Sequence, residues 1–180
     1  QPWGSMPVLT LADGTTQIAQ SKALLRLAGK ASSLYPVDDA IRAAQVDEIV
    51  DFCDDIAASV NPIGRGMESE DKNAARLACV SPGGKIYAML EKLDASIGAR
   101  GAEGFAVGSG LTTADVQVFA NTTSLISGFW DGVPPTTLDG FANIQAVRKN
   151  VATQPAVLAW YDSGDRGTGY GAAFKAARDL

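Results

Sequence analysis

The sequence predicts a mainly helical protein that opens with a short segment of mixed strand and helix. Residues with β-preference gather near the N-terminus, where residues 8–11 lie between Pro7 and the turn signal Asp13-Gly14. From residue 38 onward, apolar residues recur at helical spacing. A chain of 180 residues with 46% apolar content can bury a core without a metal or a disulfide.

The N-terminal segment is predicted to form a strand, a tight turn and a helix. We expect a second strand to add near residues 9–16. Gln20-Ser21 then opens an apolar run that stops at Gly29, a residue typical of the position after a helix. We expect Ser21 to be the N-cap, and the free amides of such a helix start bind carboxylates. Each part is common by itself, so an ordinary strand–turn–helix unit also fits the pattern.

The rest of the chain is predicted to be helical. A linker is expected over residues 31–36, a glycine-rich loop over 98–110, a break at Pro134-Pro135 and a flexible cover over 164–180. The predicted helices span residues 38–60, 71–79, 83–99, 112–127, 140–151 and 154–163.

A capping box is predicted at the start of the fourth of these helices. Thr112 is the expected cap, and Asp115 stands three residues later, where its carboxylate can return to the cap amide. This motif organises a helix start and carries no chemistry.

Composition excludes several classes of function. These 180 residues contain no histidine, which excludes histidine triads, histidine zinc sites and histidine bases within this segment. The net charge of −5, with scattered Lys and Arg, argues against a nucleic-acid surface. No apolar run is long enough to span a bilayer. Cys53 and Cys79 lie in apolar helical stretches and fit no metal motif, which suits reduced thiols in the cytoplasm or another reducing compartment.

The N-terminal motifs resemble the second half of the thioredoxin-like domain of cytosolic glutathione transferases. The matching residues are Trp3-Gly4-Ser5-Met6-Pro7-Val8-Leu9, then Asp13-Gly14, then Gln20-Ser21-Lys22-Ala23-Leu24-Leu25-Arg26. The resemblance implies a glutathione site that includes Trp3. In it, the Met6 backbone, before a cis Pro7, pairs with the cysteinyl unit, and Gln20 and Ser21 hold the γ-glutamyl carboxylate. Ser5 departs from the glutamine usual in the family.

The resemblance extends over most of the chain. Residues 46–56 are similar to the fourth helix of pi-, alpha- and sigma-type members, which places Asp55 where those classes reach across a dimer to the glutathione amino group. Alternatively, Asp51, Asp54 and Asp55 form a solvated helix face. Residues 105–116 resemble the family's Gly-x-x-Leu-Thr-x-Ala-Asp signature, and residues 138–144 and 154–161 resemble its closing helices. The implied domains are a partial thioredoxin-like domain over residues 1–30 and an all-helical domain over residues 38–180.

Two classes of function follow from the resemblance. The first is a glutathione transferase that conjugates glutathione to a small electrophile or isomerises a small substrate, with Arg65 in the electrophile pocket and a homodimer as the assembly. The second is a non-catalytic module that serves as a subunit of a larger complex. The match begins at the family's third strand, so we expect the preceding strand–helix–strand unit, which carries the thiol-activating residue, to be absent. The catalytic residue is therefore unassigned, and we expect little or no conjugation by residues 1–180 alone.

Overall fold

The structure is a computed structural model that describes residues 2–162 of the chain. Within these residues a two-stranded sheet precedes a set of helices, and short 3-10 turns lie at Pro2–Gly4 and Pro135–Leu138. The elements are β1 (Val8–Thr10), β2 (Gln17–Ala19), α1 (Ser21–Ala31), α2 (Ala40–Val60), α3 (Ser69–Val80), α4 (Lys85–Arg100), α5 (Thr113–Ile126), α6 (Ala142–Ala152) and α7 (Pro155–Asp162). The mainly helical class and the α/β segment at the N-terminus are confirmed.

The two strands form an antiparallel hairpin around Asp13. Val8 lies opposite Ala19, and the carboxylate of Asp13 accepts the amides of Thr15 at 2.9 Å and Thr16 at 2.8 Å. The hydroxyl and amide of Thr16, with the amide of Thr15, lower the pKa of Asp13 to about 2. The expected position of the second strand was wrong. Residues 11–16 form the turn instead, because Asp13 takes up the amides that a ladder would use.

Helix α1 is longer than the sequence predicted, because Gly29 lies inside it rather than after it. A Cβ atom on Gly29 would stand 2.4 Å from Cγ2 of Thr113, the first residue of α5. The absence of that atom therefore allows α1 to approach α5 closely. The segment that follows α1 also contacts the start of α5, since the Thr113 amide donates to the Leu34 carbonyl at 2.9 Å.

The core lies among α2, α4, α5 and α6, with α5 packed against both α2 and α6. Among described residues 38–162 there is no strand ladder, only an isolated bridge between Gly101 and Gly108. The predicted helices agree with the observed ones to within about two residues at their described ends. The tail predicted as a cover, residues 164–180, lies outside the described residues, as does residue 163. The largest fully buried apolar side chains are Ile49, Ile86, Leu90, Leu93, Leu138 and Ile144.

The predicted capping box is present at the start of α5. Asp115 is fully buried, and one of its oxygens accepts both the amide and the hydroxyl of Thr112 at 2.7 Å. Its other oxygen accepts the Ala106 amide at 2.6 Å, which ties the preceding loop to the helix. Burial raises the pKa of Asp115, and the hydrogen bonds from Ala106 and Thr112 oppose that shift. The motif thus fixes a helix and a loop together.

Candidate functional site

The hairpin register brings the two halves of the candidate peptide site to the same place. Val8, the first residue of β1, pairs with Ala19, the last residue of β2. The Met6-Pro7 peptide bond is cis, as the resemblance implied. Met6 is 81% exposed and thus lies on open surface. Residues 6–7, which precede β1, and residues 20–21, which follow β2, therefore lie at the same end of the hairpin.

The start of α1 differs from the sequence prediction, since Ser21 is not its N-cap. Gln20 occupies that position, with no side-chain cap and with φ 75° and ψ 113°, a conformation that non-glycine residues rarely adopt. Ser21 is the first helical residue and is exposed. The first amides of α1 accordingly have no side-chain acceptor. An uncapped helix start with a hydroxyl beside it is suited to hold an anion.

Trp3 lies in the 3-10 turn that precedes β1. Its φ is 62°, the residue is 81% exposed, and the turn Pro2–Gly4 packs beside β2. The indole is therefore an exposed aromatic surface on the turn beside β2. Such a ring offers contact area without a charge.

Asp55 lies on α2 and is exposed, without an ion pair to any of residues 2–162. Its neighbour Asp54 pairs with Lys22 at 3.0 Å, so the first turn of α1 lies beside this part of α2. Asp51 is also exposed but pairs with Arg26 at 2.9 Å. Of the carboxylates of Asp51, Asp54 and Asp55, two pair with basic side chains of α1. This face of α2 is therefore only partly solvated.

A second group of polar contacts joins α1, the linker and α2. Arg26 donates through Nε to Asp47 at 2.7 Å and through Nη2 to Asp51 at 2.9 Å, and the hydrogen bond to Asp47 raises its pKa. The other oxygen of Asp47 accepts the Tyr35 hydroxyl at 2.9 Å. Lys30 lies over the Tyr35 ring, 5.2 Å from its centroid. The sequence prediction missed this network, although Lys22, Arg26 and Lys30 repeat every four residues opposite the carboxylates of α2.

Arg65 lies in the turn that follows α2, not on the helix. Its side chain is exposed and makes no hydrogen bond or ion pair within residues 2–162, while its amide donates to the Pro62 carbonyl at 3.2 Å. The turn contains two glycines with positive φ, Gly64 at 83° and Gly66 at 73°. The guanidinium is thus free to meet a ligand, but no contact to the described residues 2–162 directs it toward the hairpin.

Tyr35, Tyr87 and Cys53 do not present a group that could activate a thiol. Burial, followed by the bond to Asp47, raises the pKa of Tyr35, whose hydroxyl is already donated. Tyr87 packs against Phe141 with ring centroids 5.2 Å apart. Burial raises the pKa of Cys53 to about 12, so this thiol stays protonated near neutral pH, whereas a reactive cysteine must be a thiolate. The catalytic residue therefore stays unassigned in the part of the chain that is described.

Residues 2–162 contain neither a candidate metal centre nor a membrane-spanning helix. No group of three or more carboxylate, thiol or imidazole side chains is arranged there to hold a metal ion. Nor does this part of the chain contain a helix with the length and apolar character needed to cross a membrane.

Comparisons with known sequences and solved structures find glutathione S-transferases. Residues 60–164 match the family model for the glutathione S-transferase C-terminal domain. Glutathione S-transferase 4 of Caenorhabditis elegans is 30% identical over 166 residues, which cover 85% of this chain and 75% of that protein. Among solved structures, monomeric Na-GST-3 from the hookworm Necator americanus has a TM-score of 0.72 at 24% identity, over 93% of this chain and 78% of that one. Rat hPGDS in complex with a quinoline has a TM-score of 0.69 at 24% identity, over 89% and 73% of the two chains.

Proposed function

Since this chain belongs to the glutathione S-transferase family, we propose that it binds glutathione at the end of the β1–β2 hairpin. The observation that carries the proposal is the pairing of Val8 with Ala19, which puts Met6 at the end of the hairpin where α1 starts without a side-chain cap. With glutathione bound there, and with the thiol-activating strand–helix–strand unit of the family supplied, the protein conjugates glutathione to a small electrophile or isomerises a small substrate. The curated relative is itself named a transferase, and no observation favours a non-catalytic assembly role.

Glutathione is a peptide whose γ-glutamyl end carries a carboxylate. We place that carboxylate on the Ser21 hydroxyl and the first amides of α1, where the helix dipole also favours an anion. The Met6 backbone pairs with the cysteinyl unit as an added strand would, and Gln20 and Trp3 flank the ligand. In this arrangement residues 1–30 belong to a glutathione-binding domain, and residues 38–180 form the helical domain beside it.

The proposed assembly is a homodimer, in which Asp55 of the partner subunit binds the glutathione amino group. A hollow of about 140 Å³ lies between α2, which carries Asp55, and α4. Its lining is half apolar and half polar: Ile49, Phe52, Leu93, Glu48, Lys92 and Ser96. Ile41, on the first turn of α2, is 73% exposed. The hookworm neighbour is described as monomeric, so sedimentation velocity is the measurement that decides. A dimer that persists at micromolar concentration supports the proposal, and a monomer refutes it.

Arg65 is proposed to contact the electrophile, because its guanidinium is exposed and unpaired within residues 2–162. The two cysteines, Cys53 and Cys79, are both free thiols, which fits the cytoplasm or another reducing compartment. No metal takes part in the proposed reaction.

The test of the proposal is glutathione binding by the purified chain, measured by calorimetry and by retention on glutathione-agarose. We expect Ser21→Ala to weaken binding by roughly 1.5–3 kcal/mol, the range for a hydrogen bond to a charged group. Ser69→Ala is the matched control, because Ser69 is the exposed first residue of α3. Equal affinity in wild type and Ser21→Ala would rule out the carboxylate site, and no binding by the wild type would rule out the function.

A further inference from the structure

Helix α1 is held to the helical domain in two different ways at its two ends. Among its described residues Gly29 is the one that is buried, against Thr113 and close to Tyr35. The half that begins at Ser21 has no buried residue and is joined to α2 by ion pairs. A buried contact therefore fixes the C-terminal half of α1, whereas the N-terminal half follows β2 directly and is joined to α2 by ion pairs.

The ion pairs differ in how firmly they connect the two helices. Lys22 makes one contact, to Asp54, at 3.0 Å. Arg26 spans two successive turns of α2, with Asp47 at 2.7 Å and Asp51 at 2.9 Å, and only 28% of its side chain is exposed. Because Tyr35 donates to the free oxygen of Asp47, that carboxylate cannot turn away from Arg26 without losing a second bond. A planar guanidinium with two partners sets an angle, which a single flexible ammonium does not.

We propose that Arg26 is a positioning residue for the glutathione site, acting through the angle of α1. The inference rests on the proposed function, since the group it positions is the carboxylate site at Ser21. Eight residues separate Ser21 from Gly29, so the lever is about 12 Å long, and a rotation of about 5° moves Ser21 by about 1 Å. Binding sites need their groups held to about 0.5 Å. Because β2 runs directly into α1, the hairpin moves with the start of this helix. Removing the bonds of Arg26 therefore shifts the carboxylate site relative to the helical domain, and so relative to Asp55 of the partner subunit, which the proposed assembly sets on the glutathione amino group.

The experiment compares Arg26→Gln with a matched control, Arg100→Gln. Arg100 also binds a carboxylate of α2, Glu48, and its side chain is also 28% exposed, but it projects from α4 and does not touch α1. Glutathione affinity is measured by a one-dimensional NMR titration, which reads millimolar dissociation constants. We expect Arg26→Gln to weaken binding about five-fold, Arg26→Lys to restore part of the loss, and Arg100→Gln to leave affinity unchanged.

A second background separates positioning from general destabilisation. In Ser21→Ala protein the carboxylate site is already impaired, so Arg26→Gln should weaken glutathione binding no further. An equal loss in both backgrounds would show that Arg26 does not act through Ser21, and would overturn the inference. If Arg26→Gln and Arg100→Gln bind glutathione with equal affinity, the positioning role of Arg26 is refuted, while the proposed function is unaffected. A wild type that does not bind glutathione would refute the proposed function, and this inference with it.

Discussion

Removal of the buried carboxylate at the start of α5 should be among the most destabilising changes in the helical domain. Asp115 accepts three hydrogen bonds, two from Thr112 and one from the Ala106 amide. Asp115→Ala leaves two buried amides without acceptors, each costing about 1–3 kcal/mol, so we expect a loss of about 2–6 kcal/mol. Thr112→Ala removes only the hydroxyl and keeps both amide bonds, so its cost should be about 1 kcal/mol.

Thermal unfolding followed by far-ultraviolet circular dichroism measures both changes. For a chain of this size each kcal/mol lowers the midpoint by about 2–4 °C. Asp139→Ala is the control, because that carboxylate is exposed and accepts no hydrogen bond within residues 2–162. Glutathione affinity below the transition should be the same for both variants, since neither residue belongs to the candidate site.

The difference in stability between Thr112→Ala and Asp115→Ala separates the contribution of the Thr112 hydroxyl from that of the two amide hydrogen bonds. If Asp115→Ala unfolds at the same temperature as Asp139→Ala, the buried carboxylate does not hold the helix start. If Thr112→Ala costs as much as Asp115→Ala, the hydroxyl carries the stability, and the larger role assigned to the two amide bonds is refuted.

Two further predictions concern packing. Gly29→Ala introduces a Cβ at 2.4 Å from Thr113, so we expect a loss of about 1–3 kcal/mol in thermal unfolding, whereas Gly140→Ala, with no atom within 4 Å, should cost far less. A loss no greater than that of Gly140→Ala would mean that α1 does not approach α5 closely. Cys53, buried with its pKa raised to about 12, should resist a chromogenic thiol reagent until the protein is denatured, while the half-buried Cys79 reacts first. Rapid labelling of both thiols in the folded protein would contradict this.

The elements that the sequence predicts correctly are those whose causes are local. Thr112 and Asp115 are three residues apart, so the capping box can be recognised without knowing the fold. The helices from residue 38 onward lie within about two residues of their predicted positions at their described ends, because each buries a face at a regular period.

The wrong predictions lie where a contact between distant residues decides a local choice. Gly29 is predicted to end α1, since glycine often follows a helix, but its role is to let Thr113 approach. Ser21 is predicted to be the N-cap because serine prefers that position. Gln20 takes the position instead, in an unusual backbone conformation at the end of β2. No rule of local preference predicts such a conformation.

The candidate site depends both on local sequence and on contacts between distant residues. Only the part that depends on local sequence could be predicted. The turn around Asp13 fixes the hairpin register, and a shift of one residue in β1 would turn its side chains to the other face of the sheet. That part follows from the spacing of a few neighbouring residues. The angle at which Ser21 is presented depends on Arg26 reaching Asp47, and this pairing exists only once the linker and α5 have brought the two helices together. A sequence motif can therefore name candidate residues for a peptide site, while the charges proposed to hold those residues in place become visible only in the folded chain.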